Sequence, residues 1–477
     1  MAAHKSIFLR FIFFSFSAIF ILSGCSLMSR KEDAFTISKN PCIVLALPAS
    51  GPYSSISGKI RKGAEIASKN LLASDIHVRL ENINTENPAW IAELEKLPEE
   101  CAVVGGPLQE KTYQQAQKSN VLERRVFFSF MPALKATEEG NRAWRFFPSP
   151  QDQIDALVKF VTENLHISTF GAFFPADQYG SKMASLLEKT LAQQQIPLQK
   201  TSYNPKQPAT WTKSAAILVK PAYANRKNPI PNTSFEAVFL PDSWKNIDNL
   251  TSSFLNNGED RLVLLGTNLW EQGVYGKHIP NAQNYALAIF PGAWNKSSSP
   301  KILQGKENDF WSALGFDFVN FAVNLGVQKR LVSPQITAAA QRASTATRAI
   351  APLSYDNNGI AHEKLFIFQI SSNGLKPVNI EELRNRRKQA QENTALRIQK
   401  LNEEPEENYY PSVPSVSDSS PEIGASSAIP EGRTEAVESA PQTFSPMMRP
   451  VTPQTTSSPV LGTTPQPSYK LRLPTKK

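Results

Sequence analysis

From residue 41 to about residue 380, short apolar runs alternate with amphipathic stretches, a rhythm that predicts strands alternating with helices. Strands are predicted over 43–47 (IVLAL), 77–83, 102–104, 125–130, 169–174, 235–240, 262–265 and 285–290. Helices are predicted between them, over 57–72, 90–97, 109–119, 152–164, 180–195 and 246–255, with a long apolar one over 309–325. In the helix at 180–195, Met183, Leu186, Leu187 and Leu191 fall on one face. Unbroken apolar strands joined by helices imply an α/β fold of parallel sheets flanked by helices. So many units exceed one sheet, and two lobes are expected.

The chain ends break this rhythm. Residues 11–22 (FIFFSFSAIFIL) form an uncharged run behind His4, Lys5 and Arg10. With its basic start and small residues after it, so short a run is a secretory signal and not a spanning helix. It ends on Leu22-Ser23-Gly24-Cys25, which resembles the lipobox of bacterial lipoproteins. That resemblance implies removal of residues 1–24 as a lipoprotein signal peptide and lipidation of Cys25, with 25–40 as a tether. At the other end, 381–404 has helix-forming composition and few apolar residues, and reads as an exposed polar helix, a stalk or a partner-binding segment. Residues 405–477 hold 13 of the 36 prolines among Ser, Thr and Glu; such a stretch buries too little apolar surface to fold, so a disordered C-terminal tail is expected.

Composition changes this picture little. Hydrophobic residues at 41% and charged residues at 19% suit a globular protein, and no later run approaches the roughly 18 apolar residues of a membrane span. A net charge of +9 outside the cytoplasm favours anionic lipid headgroups or cell-wall polymer over nucleic acid, for which no motif is present. Of the three cysteines, Cys42 and Cys101 remain once Cys25 is lipidated. Each directly precedes an apolar strand. In neighbouring parallel strands, about 4.8 Å apart, both would sit at one sheet edge, so a Cys42–Cys101 disulfide is predicted.

Candidate chemistry is sparse. The hydroxyl-rich loop 50–59 (SGPYSSISGK) follows the first strand and opens a helix, but its glycines are spaced wrongly for a phosphate loop, and Ile60 follows Lys59. It reads instead as a cleft-facing loop at the carboxyl ends of the strands, with Ser50 and Tyr53 as candidate ligand contacts. Val104-Gly105-Gly106-Pro107 is a second such turn, and Gly106 permits close backbone approach. The five histidines form no metal-binding spacing, no nucleophile elbow is present, and Ser298-x-x-Lys301 lies in a polar loop without its companion motifs. No cofactor, metal or catalytic residue is expected, and an enzyme is disfavoured.

The order of elements resembles that of type 1 periplasmic binding proteins, the leucine/isoleucine/valine-receptor family. The resemblance rests on 43–67 (IVLALPASGPYSSISGKIRKGAEIA), 103–108 (VVGGPL), 144–149 (WRFFPS) with Asp152-Gln153, 171–180 (GAFFPADQYG), and Gly359 with 365–370 and Asn373-Gly374. It implies a two-lobed type 1 periplasmic-binding-protein domain over 41–380 that closes on a ligand. Lobe I would comprise about 41–146 and 282–350, and lobe II about 147–281 and 351–380. In the family's amino-acid site, hydroxyls and a helix N-terminus take the ligand carboxylate. Here those positions are 109–112, of which only Thr112 keeps the hydroxyl, beside Glu110; Ser129 would open the next cleft segment, and Tyr179 would line the second lobe's face.

Outer-membrane lipoprotein activators of penicillin-binding proteins carry a similar domain, and 264–273 (LLGTNLWEQG) looks like segments of that branch. This implies a periplasmic regulator that is lipid-anchored, touches a membrane, and has a cell-wall synthase as partner. The alternative is the solute receptor of an ABC importer, partnered by its permease and taking amino acids or similar small molecules. Ser26 after the cysteine, where many inner-membrane lipoproteins have aspartate, favours the outer membrane.

Overall fold

The computed structural model describes residues 37–403 apart from 225–228, 306 and 347, so the predicted signal, Cys25, most of the tether and the tail lie outside the described residues. Two parallel sheets form the framework. The first carries, in spatial order, β2 (Arg79–Asn84), β1 (Cys42–Leu47), β3 (Val103–Gly105), β4 (Val126–Ser129) and β5 (Ala143–Arg145). Three helices join its strands, α1 (Ser54–Leu71), α2 (Trp90–Lys96) and α3 (Glu110–Lys118), and α4 (Pro150–Leu165) leads away to the second lobe.

The second sheet reads β14 (Gly374–Pro377), β13 (Phe366–Ser371), β10 (Ala288–Gly292), β9 (Val263–Leu265), β8 (Ala237–Phe239), β6 (Phe170–Pro175) and β7 (Leu198–Tyr203). Its helices are α5 (Gln178–Gln193), α6 (Trp211–Val219), α7 (Ile247–Leu255) and the short α8 (Glu271–Val274). The chain then returns to the first lobe with α9 (Phe310–Leu325), α10 (Ser333–Ala343) and the ribbon β11 (Leu353–Tyr355) with β12 (Ala361–Glu363). The described residues end on α11 (Ile380–Glu403).

The period-two alternation of strands explains why these runs read as continuously apolar. Ile43, Leu45 and Leu47 pack with α1 and α9, whereas Cys42, Val44 and Ala46 pack with α2 and α3 on the opposite face. The second sheet repeats the division: Val238, Leu264 and Phe290 face α6 and α7, while Ala237, Val263 and Ile289 face α4 and α5. A disulfide joins Cys42 to Cys101 across β1 and β3, with Cα atoms 4.6 Å apart.

Three segments cross between lobes, and their positions correct the predicted boundaries. The strand Ala288–Gly292 pairs with β9 and β13 in the second sheet, so the return to lobe I falls after residue 292 and not near 282. Leu353, Tyr355 and Ala361 pack in the first lobe's core, so lobe II resumes after β12 and not at 351. Sheet membership is decided by pairing partners, which an apolar run does not specify. Two pairings depart from the purely parallel expectation: β13 runs antiparallel to β10, and β13 and β14 form an antiparallel hairpin at the sheet edge. The edge strand β7 (LQKTSY) and helices α6 and α10 escaped the sequence pattern, β7 because its outer residues are polar.

Helix α11 is docked along lobe II and is not a free stalk. Leu383 is buried, Arg384 and Arg387 donate to the carbonyls of Asn164 and Leu165 at the end of α4, and Thr394 donates to Asp260. These arginines satisfy carbonyls that the end of α4 leaves without helical partners.

Helices α1 and α9 touch through glycines. A Cβ on Gly63 would lie 1.8 Å from the Ser312 carbonyl oxygen, and one on Gly315 1.9 Å from that of Ile60. Gly63→Ala is therefore expected to destabilise the protein by about 1–3 kcal/mol. Gly58→Ala, on the same helix with nothing within 4 Å of the added carbon, should stabilise it by about 0.5–1 kcal/mol. Guanidinium midpoints of the two variants check the contrast; equal shifts would mean the helices separate without cost.

Candidate functional site

The cleft between the lobes holds a cavity of about 320 Å³. Lobe I contributes Ser55, Ile56 and Lys59 from α1 and Asp309, Phe310 and Trp311 from the start of α9. Lobe II contributes Gln153 from α4, then Asn268, Glu271, Gln272 and Tyr275. The crossing segments close its back with Phe147, Gly292, Trp294 and Leu365.

Local sequence explains the positions of its main groups. Asp309 caps α9, accepting from the backbone N–H groups of Trp311 and Ser312 in a capping box, and its carboxylate also binds Lys59 at 2.6 Å. That pair bridges α1 to α9 within lobe I. On the facing lobe, residues 264–273 fold around Trp270, which is fully buried and donates to the Asp242 carbonyl at 3.0 Å. Gly266 makes this possible, since a Cβ there would lie 2.2 Å from the Trp270 ring. With Trp270 anchored, α8 starts at the cavity wall and presents Glu271.

Glu271 carries the site's distinctive electrostatics. Its carboxylate has no hydrogen-bond or ion-pair partner among the described residues, and burial, followed by the negative charge of Asp309, pushes it up to about 7. Aromatic rings line the same cavity. Tyr275 and Trp294 lie 6.0 Å apart, and Phe147 stacks on Trp311 at 5.7 Å. Trp294 is fixed by donating to the Ser299 hydroxyl at 2.7 Å.

None of the six residues expected in the cleft from sequence lines this cavity. Ser50 is exposed in the loop after β1, and Tyr53 packs partly buried against the lobe I core at the start of α1. Gly106 adopts φ +107°, and its α-carbon sits so close to β1 that a Cβ would lie 2.4 Å from the Ala46 oxygen, a turn only glycine makes cheaply. Thr112 is buried on α3, and Ser129 is fully buried at the end of β4 with its hydroxyl unpartnered among the described residues.

Tyr179 lies behind the cavity. Its hydroxyl donates to Thr267 at 3.3 Å, and burial pushes it up to about 12, so it stays a neutral donor. With Gln153, whose side-chain oxygen accepts from the Asn268 N–H at 3.0 Å, it props the loop that carries Asn268 and Glu271. Within the segment 264–273, quoted above for its resemblance, Asn268, Glu271 and Gln272 line this cavity.

The sequence by itself matches no family model and no curated protein. Solved structures do match. The C-domain of LpoA (YraM) from Haemophilus influenzae, described as a regulator of PBP1A, aligns with a TM-score of 0.51 at 15% identity, covering 71% of this chain and 100% of that one. Full-length LpoA from the same organism aligns at 0.52 and 15% identity, covering 72% of this chain, which spans only 60% of that protein. A putative branched-chain amino acid ABC transporter protein from Rhodospirillum rubrum aligns at 0.53 and 10% identity over 71% of this chain and 100% of its own. The fold is that of the type 1 periplasmic binding proteins. It is shared here by a regulator and a transport protein, and identities this low carry the fold alone.

Proposed function

We propose that this chain is a non-catalytic envelope regulator, lipid-anchored through Cys25 in the periplasm, whose two lobes close over a ligand and whose surface engages a cell-wall synthase. The observation that carries it is the charge of the interlobe cavity. Lys59 is engaged by Asp309, which leaves Glu271 uncompensated, and the hydroxyl positions that would receive an amino-acid carboxylate lie buried elsewhere. An α-amino acid would bring its own carboxylate against Glu271. The likeness to LpoA adds support for a regulator.

The second reading is a solute receptor for an ABC importer. A cavity of about 320 Å³, within the range of small-ligand sites, and the likeness to the Rhodospirillum rubrum protein favour it. Pull-down of the full chain from solubilised envelopes separates the two. Recovery of a cell-wall synthase is expected. Recovery of importer permease subunits alone, together with a thermal shift on adding amino acids, would establish the receptor instead.

A further inference from the structure

We propose that the interlobe cavity binds a small organic cation, an ammonium group on an apolar body without a carboxylate. This assignment deepens the reading of that cavity as a regulator's ligand site and rests on it. Three observations converge. Glu271, half-buried, lines the cavity, and its carboxylate has no partner among the described residues, so a cation there would pair an otherwise unpaired acid. The second acid, Asp309, is neutralised by Lys59 and by two backbone N–H groups, so the net charge presented to a ligand is that of Glu271.

The third observation is the wall. Tyr275, Trp294, Phe147 and Trp311 line the cavity with aromatic rings, whose negative quadrupoles attract an ammonium and whose area covers methylene or methyl groups. An anion would meet Glu271 and the same negative faces. A volume of about 320 Å³ sits at the small end of ligand sites, which limits the body to a few carbons or one ring. Tyr275, 37% exposed, stands at the solvent side and marks the way in.

Isothermal titration of the full chain with tetramethylammonium, n-butylammonium, n-butanol and butyrate tests this. At least one ammonium probe is expected to bind at one per chain, at least tenfold more tightly than butanol, with butyrate weaker still. Glu271→Gln should weaken ammonium binding at least tenfold. Tyr275→Leu, at a half-exposed position that folding does not depend on, should weaken it about threefold. Absence of binding by both ammonium probes, butyrate binding as tightly as butylammonium, or unchanged binding in both variants would overturn the assignment. The synthase pull-down reads separately. Capture of a synthase by a protein that takes no cation removes this inference alone, whereas cation binding without synthase capture removes the regulator reading and leaves the site.

Discussion

Arg145→Met is expected to destabilise the protein by about 3–5 kcal/mol at pH 8, because it strips the counter-charge from buried carboxylates. The guanidinium is 4% exposed and binds Asp152 at 2.9 Å and Glu139 at 3.2 Å. It also donates to the carbonyls of Phe147 and Ala361. Those partners belong to two of the three crossing segments, the one after β5 and the one around β12, so this side chain ties the hinge on which the lobes meet. Asp152 completes the knot by accepting from the Glu363 N–H at 3.1 Å.

The loss should depend on pH, with a definite sign. Burial first, then Asp152 and Asp317, push Glu363 from the ordinary value of 4.5 up to about 8, against the opposing pull of Arg348 and Arg145. Between those two values the folded state holds more protons than the unfolded one, so stability falls as pH rises. Removing Arg145 strengthens that dependence, since the carboxylates can then be relieved only by taking protons. The deficit of Arg145→Met should therefore shrink at pH 5. Arg145→Lys should recover part of the loss through charge while lacking the fork that reaches both carboxylates. Denaturant midpoints at the two pH values decide it. A deficit independent of pH and equal in both variants would make Arg145 a packing residue only.

Replacing Cys42 and Cys101 together by serine is expected to cost about 4 kcal/mol, the loop-closure entropy that a cross-link spanning 59 residues removes from the unfolded chain. The bond joins β1 to β3 at the middle of the first sheet, where Cys42 is 5% and Cys101 0% exposed, so reductant should reach it slowly in the folded state. Unfolding with and without reductant, read against the double-serine variant, checks the magnitude. If reduction leaves the midpoint unchanged, the cross-link contributes nothing. The prediction also bears on location, because a disulfide of this kind persists in an oxidising envelope and not in a reducing cytoplasm.

Much of the framework was legible because parallel strands covered on both faces leave a simple mark. Residues 43–47 are apolar at every position since odd and even side chains enter different cores. The order of the strand–helix units, and with it the two-lobed fold, followed from that mark and from turns such as Gly106. What stayed hidden depended on partners. Ala288–Gly292 carries no sign of which sheet it joins, and α11 reads as polar although Leu383 and its arginines hold it to lobe II.

The cavity was hidden for the same reason. The loops after β1 and β3 pointed to Ser50, Tyr53 and Gly106, and the family resemblance added Thr112, Ser129 and, on the second lobe, Tyr179. The stretch 50–59 after β1 does reach the cavity, through Ser55, Ile56 and Lys59, but the rest of the lining comes from stretches near residues 147–153, 268–275, 292–294 and 309–311, none of which holds a recognisable ligand motif. Glu271 is an ordinary glutamate in the chain and becomes distinctive only because Trp270 anchors α8 beside the crossing segments and Asp309 faces it from the other lobe. Periodicity is a local property, so the sequence alone determined the elements, their order and the class of fold. A binding site is a property of distances between remote segments, and those were decided only when the lobes packed across their three crossings.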